Sequence, residues 1–184
     1  MNKFYTGIGA RKTPPIVLET FGVLGEWLAS EGYTLRSGAC EGADVAFERG
    51  CDKVGGKKEI YLPWKGYNGS TSELYIINPD ATEIAKQLHP SWGAVDYRGE
   101  KYLSRDVCQV LGQTLDIPTK FIVCYTPEGC LVGGTAMAIR VANEHQIKVF
   151  NAGLYDVQSW NKKTSAIRDK FIKDVMRYAE FAGR

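Results

Sequence analysis

The sequence predicts an α/β fold built on a parallel sheet. Three observations predict it. Short apolar runs alternate with runs of helical period. Three of the predicted strands end in glycine-bearing turns, "TGIGARK", "SGACEGAD" and "VGGTA". One run, "KFIVCYT", is apolar at successive positions, as in a strand covered on both faces. With 184 residues, 44% hydrophobic and 24% charged, the composition suits one domain, 1–184, with a sizeable core.

The first strand is expected at Lys3–Gly7. A helix opens near Pro14 and Pro15 and carries Val17, Phe21, Leu24 and Leu28 at helical spacing. A second strand, Tyr33–Gly38, completes a βαβ opening. The helix after it sets Ala43, Ala46, Phe47 and Gly50 along one face, a narrow stripe expected to let it approach the sheet closely. Glu59–Pro63 reads as the third strand, Lys120–Thr126 as the fourth and Ile147–Asn151 as the last, with a closely packed helix marked by Ala138, Val141 and Ala142 before it. Residues 64–118 interrupt the alternation and read as an insertion with a loop, a short helix in "DATEIAKQLHP" and a longer one in "KYLSRDVCQVLGQTL". Its Trp64, Tyr67, Trp92, Tyr97 and Tyr102 serve either as core aromatics or as faces for a planar ring folded over the strand ends. The C-terminal segment, about 164–182, sets Ile167, Phe171, Val175, Tyr178 and Ala182 on one side of a solvated amphipathic helix.

Charge and cysteines narrow the function classes. The 23 Lys/Arg against 21 Asp/Glu leave a net +2, which is no footprint for duplex DNA. The five cysteines form no C-x-x-C pair and have only His89 and His145 for company, so neither a zinc site, a structural metal nor a disulfide framework is expected. Reduced thiols, the lack of an apolar signal-type stretch in "MNKFYTGIGA" and the lack of an apolar run of about 18 residues make a cytoplasmic, non-membrane protein the expectation.

The glycine turns carry the chemistry. Where a strand turns into a helix, unsatisfied backbone N–H groups and the positive end of the helix dipole face outward, and glycine lets a phosphate approach the main chain. "GIGARKT" is not a Walker A loop, and no G-x-G-x-x-G stands there, so neither common nucleotide fingerprint applies and no cofactor is assigned. Together the turns nominate Gly7, Gly9, Ala10 and Arg11 after the first strand, Ser37, Gly38, Ala39, Gly42 and Asp44 after the second, and Gly133, Gly134 and Thr135 after the fourth. Asp44, in the first helical turn, is expected to favour the helix dipole or to bind a ribose hydroxyl, and the dipole to keep it ionised.

"YTGIGARKTP", "LRSGACEGADVAFERG", "HPSW", "LSRDVCQVLG" and "VGGTAMAIRVA", in that order, resemble the SLOG superfamily of Rossmann-like nucleotide-binding proteins. The likeness covers most of residues 1–151 and is nearest to phage-type relatives of DNA-processing protein A. It implies a doubly wound sheet with a ligand groove beside the "SGACEGAD" and "GGT" turns, Arg105 as the groove arginine, and homo-oligomers. Superfamily members include phosphoribohydrolases, a single-strand DNA recombination mediator and sensors of nucleotide-derived signals. The phosphoribohydrolase glutamate falls at Ala138 here, and "LVGGTA" lacks that branch's proline and extra glycine. The reading preferred from sequence is therefore a binder of a nucleotide or nucleotide-derived small molecule with no catalytic residue assigned, extending to a viral sponge that sequesters a host defence signal in the host cytoplasm. The alternatives are a nucleotide N-glycosidic hydrolase using Asp44, Asp106 or Glu41, and a single-strand DNA binder using Arg11, Lys12, Lys57, Lys58 and Lys65.

Overall fold

A computed structural model describes residues 3–161 and 165–183. Five strands, β1 (Phe4–Gly9), β2 (Thr34–Ser37), β3 (Lys58–Ile60), β4 (Phe121–Tyr125) and β5 (Lys148–Asn151), form one parallel sheet in the order β3-β2-β1-β4-β5. The chain walks outward from β1 to β3, returns across the sheet to β4 and continues to β5. With right-handed crossovers this reversal sends the helices to opposite faces, which is the doubly wound arrangement expected from the sequence.

Helices α1 (Pro15–Ser30), α2 (Ala43–Lys53) and α6 (Ala166–Ala182) pack on one face over Tyr5, Leu35, Phe121 and Val123. Helices α3 (Pro79–Leu88), α4 (Tyr97–Leu111) and α5 (Thr135–Glu144) cover the other, over Ile8, Ile122 and Cys124. Alternation along β4 thus feeds two cores, and all five of its residues are buried. Residues 64–118, read from sequence as an interruption, supply α3 and α4. α4 is the crossover helix of the second layer, tied to β1 where Thr6 Oγ1 donates to the Gln109 carbonyl at 2.7 Å. Pro79 after the Asn78 cap starts α3, and Asp96, accepting from Gly99 N at 2.7 Å, starts α4.

The small-residue stripe of α2 divides its work. Ala43 and Phe47 face β1, where a Cβ on Gly9 would stand 2.8 Å from Ala43 Cβ and one on Gly7 2.6 Å from the Phe47 ring. Gly50 instead faces α1, where a Cβ would stand 2.1 Å from the Gly22 carbonyl oxygen. The stripe expected to bring helix and sheet together therefore also brings two helices together. Gly50→Ala is expected to cost about 1–3 kcal/mol, because backbone must give way. Urea unfolding checks it, and a loss under about 0.5 kcal/mol would show that the helices part easily.

α6 is less solvated than its charge suggested. Phe171, Val175 and Ala179 are buried, Phe171 packs against Trp160 and Tyr155, and Tyr33 Oη donates to the Ala179 carbonyl at 2.6 Å. Thr164, the expected start of this helix, lies outside the described residues; Ser165 caps it by accepting from Arg168 N. Most of the apolar side is thus spent inside the molecule, while Ile167 and Phe181 remain exposed. Among the described residues no helix is long and apolar enough to cross a membrane.

Candidate functional site

β1 and β4 are neighbours whose following helices leave for opposite faces, so a crevice opens beyond their carboxyl ends. Gly9 pairs with Tyr125, Ala10 N donates to the Tyr125 carbonyl at 3.0 Å, and the two chains then diverge. A cavity of about 920 Å³ occupies the crevice. Of the residues nominated from sequence, Gly9, Ala10, Arg11, Asp44, Arg105, Gly133, Gly134 and Thr135 line it. The strand-end glycine turns expected to meet on one edge do meet there.

The others sit behind the wall. Gly7 lies within β1, and Ser37 Oγ donates to its carbonyl at 2.7 Å as a tie between strands. Gly38 leaves room for Arg105, whose Nη1 would stand 1.9 Å from a Cβ there. Ala39, in the left-handed region at φ 54°, accepts from Asn68 Nδ2. Gly42, at φ 88°, packs against the Ala10 and Arg11 carbonyls.

The turn "SGACEGAD" holds its own aspartate. Asp44 Oδ1 accepts from Gly9 N at 3.2 Å, and Oδ2 accepts from Gly38 N at 3.1 Å and Cys40 N at 3.5 Å. Two of the nominated amides, Gly9 N and Gly38 N, are therefore already held by a carboxylate only 3% exposed. Burial outweighs the partly opposing Arg105 and raises the Asp44 pKa to about 6, which still leaves the carboxyl ionised at neutral pH.

Arg105 and Asp106, adjacent on α4, form the floor. Arg105 Nε donates to Asp106 Oδ1 at 2.9 Å, and Nη1 donates to the carbonyls of Gly38 at 2.8 Å and Tyr61 at 3.3 Å. Burial works against the guanidinium charge, but Asp106, Cys40 and Asp44 hold its proton more firmly, leaving its pKa above the ordinary arginine value. Burial likewise raises Asp106 to about 6, with Arg105 opposing. In the orientation that satisfies both of its amide atoms, Gln109 donates to Asp106 Oδ1 at 3.1 Å and accepts from Gly38 N at 3.0 Å. Asp106 Oδ2 is buried without a partner among the described residues and stands 3.1 Å from the Cβ position of Gly134.

α5 presents a second helix N-terminus to the cavity, and this one is open. Gly133 takes φ 68°, Gly134 is the N-cap in helical conformation, no side chain caps the helix and no acid stands in its first turn. The N–H groups of Gly133, Gly134 and Thr135 donate to nothing among the described residues. The two strand-to-helix turns thus look alike in sequence but differ in charge: neither helix has a side-chain cap, but the loop before α2 holds the Asp44 carboxylate through Gly38 N and Cys40 N, while α5 has no acid in its first turn.

The aromatic residues mostly follow the core reading. Trp64, Tyr67 and Tyr102 pack edge-to-face with centroids 5.2–5.7 Å apart, beside Ala39 and Leu62, and of the three Tyr102 lines the cavity. Trp92 packs by His89, and Tyr97 is exposed. Arg11 and Lys12 are exposed at the cavity's rim. Lys57 and Lys58 enter β3 at the opposite end of the sheet, where Lys58 pairs with Asp52 at 2.6 Å. Sequence reasoning missed Gln109 and Thr126 as cavity residues. Their signal is only their place, Gln109 one turn beyond Arg105 and Thr126 at the end of β4.

No family model matches the chain, and no curated protein matches it. Among solved structures, the chain is similar to the Moco carrier protein of Chlamydomonas rheinhardtii, at 15% identity and TM-score 0.57 over 98% of this chain and 99% of that one. It is also similar to DNA processing protein A from Helicobacter pylori, described for its single-stranded DNA binding mode, at 16% identity and TM-score 0.55 over 96% and 80%. At such identities the likeness establishes a shared α/β fold of the doubly wound, Rossmann-like kind.

Proposed function

We propose that the protein binds a phosphorylated small molecule, a nucleotide or nucleotide derivative, in the crevice between the ends of β1 and β4. The observation that carries the reading is the uncapped N-terminus of α5, whose free N–H groups face a cavity of about 920 Å³ large enough for such a ligand. The resemblance of the sequence motifs to the SLOG superfamily agrees with it, and a solved structure of similar fold is named as a carrier of a small cofactor. The sponge role gains no support from geometry or comparisons.

Single-strand DNA binding, named for the other similar structure, fits this chain less well. A polyanion needs a basic track with stacking faces. Here the cavity wall sets Arg11, Lys12 and Arg105 against Asp44, Asp96 and Asp106, and Lys57 and Lys58 lie at the far end of the sheet. One observation favours N-glycosidic hydrolysis as a second reading: Asp44 and Asp106 are buried carboxyls raised to about 6, a range suited to general acid help. Ala138, at the position of the phosphoribohydrolase glutamate, is buried in the second core and does not line the cavity. Multiple-turnover release of free base from AMP or NAD, abolished by Asp106→Asn in a protein that still binds, would establish the enzyme.

Native mass spectrometry of the purified protein and titration with AMP, ADP-ribose, NAD and cyclic AMP test the binding reading. At least one ligand is expected to co-purify or to bind, and Gly134→Val is expected to fold, because Gly134 already has helical φ and ψ, and to lose at least tenfold in affinity, because its Cβ meets Asp106 Oδ2 at 3.1 Å and its branches crowd the cavity wall beside the α5 amides. Unchanged affinity in a folded Gly134→Val protein would sink the α5 placement. No binding at millimolar concentration would sink the function.

A further inference from the structure

The cavity's own charges bear on which phosphoryl group it takes. Six charged side chains line it, the cations Arg11, Lys12 and Arg105 and the carboxylates Asp44, Asp96 and Asp106, so its wall carries no net charge. Arg11 and Lys12 are exposed, where water and salt screen them. Arg105 is 4% exposed and paired with Asp106 Oδ1, and of this pair the atom nearest the Cβ position of Gly134 is Asp106 Oδ2, so the pair turns its negative end toward α5.

Of the two buried carboxylates, Asp44 is compensated by its backbone N–H donors. Asp106 is compensated on one oxygen alone. Its Oδ2 is partnerless, the residue is 3% exposed, and the oxygen stands 3.1 Å from the Cβ position of Gly134, directly under the open end of α5. A group bound to the α5 amides therefore sits within a few ångströms of a carboxylate oxygen that no donor among the described residues covers, the negative end of the Arg105–Asp106 pair. In a poorly screened interior, each added negative charge on that group is opposed.

We infer that the site selects a phosphoryl group carrying one negative charge, a phosphodiester, over a dianionic phosphomonoester, and that Asp106 is the residue that sets this preference. The inference rests on the proposed binding function and names the ligand class within it. Asp106 acts through its field and needs no direct contact, so the burial of Oδ2 beneath Gly134 is no obstacle. The same residue disfavours terminal phosphates of mono-, di- and triphosphates at the α5 end, leaving nucleotide ligands whose phosphate is esterified on both sides.

The test compares AMP with adenosine 5′-(methyl phosphate), which share base and ribose and differ by one negative charge at pH 8, where a phosphomonoester, with a second pKa of about 6, is dianionic. Isothermal titration of the wild-type protein is expected to give the methyl ester at least tenfold higher affinity. In Asp106→Asn, shown folded by circular dichroism, AMP is expected to gain at least tenfold and the two affinities to fall within threefold of each other. Wild-type protein that binds AMP as tightly as the ester overturns the inference without any variant, and leaves the binding function standing. An undiminished preference for the ester in folded Asp106→Asn overturns the role of Asp106. Binding of neither compound at millimolar concentration overturns the inference. If the wider ligand panel also fails to bind, the function falls with it.

Discussion

Arg105→Met is expected to cost about 3–5 kcal/mol of stability at pH 8, among the largest losses available to a single substitution in this fold. The methionine fills much of the same space, but Asp106 Oδ1 loses its 2.9 Å partner, the Gly38 carbonyl loses the 2.8 Å donor, and two buried carboxylates keep no buried cation between them. The cost should shrink on acidification. Asp44 and Asp106 have folded pKa values of about 6, raised above the 3.8 of an ordinary aspartate mainly by burial. A carboxyl raised in this way holds its proton more firmly in the native state. Its unfavourable contribution is absent below about pH 4, develops as pH rises through the interval between the two values, and is complete above about 6. Since Arg105 lowers both values, its loss pushes them higher and extends that interval upward. Urea unfolding at pH 8 and pH 5 checks both halves of the expectation: a loss below about 1 kcal/mol at pH 8 would mean that the ion pair adds nothing net, and a loss that does not shrink at pH 5 would put the cost in packing.

Phe47→Ala is expected to cost a similar amount, about 3–5 kcal/mol, for a reason that owes nothing to charge. The ring is fully buried, stacks on Phe21 at a centroid distance of 4.4 Å, meets Tyr5 edge-on at 6.1 Å, and fills the space that the missing side chain of Gly7 leaves over β1. Truncation opens a cavity where sheet, α1 and α2 meet. A control sharpens the test. Gly7→Ala alone should destabilise, since its Cβ would stand 2.6 Å from the Phe47 ring, and should destabilise less in the Phe47→Ala background. Additive losses in urea unfolding would refute the contact as the cause. Asp44 stands three residues before Phe47 on α2, so loosening α2 should also release its hold on Gly9 and Gly38.

Residue patterning by itself determined the parallel α/β class, the order of strands and helices, and the meeting of the glycine turns at one crevice. These are legible because burial imposes its period locally: Val17, Phe21, Leu24 and Leu28 mark one helical face, and successive apolar residues from Phe121 to Tyr125 mark a strand with a core on each side. The place of 64–118 was not legible in that way, because a crossover helix in a second layer differs from an insertion only in what it touches, and α4 declares itself by packing on β1 and β2 and by the Thr6–Gln109 bond. Tertiary structure also decided which glycine turn already holds an internal anion. "SGACEGAD" and "VGGTA" both end a strand in glycine and open a helix, but an anion site is available only if no internal anion reaches it. Asp44 sets a carboxylate on the first, bonded to Gly38 N, to Cys40 N and to Gly9 N, 35 residues away in sequence, while α5 has no acid in its first turn. Arg105 and Asp106 are adjacent in every reading of the chain, but their burial, their raised pKa values and the bare oxygen beneath Gly134 arise only when α4 lies between the two turns, where low polarity makes each unpaired charge count.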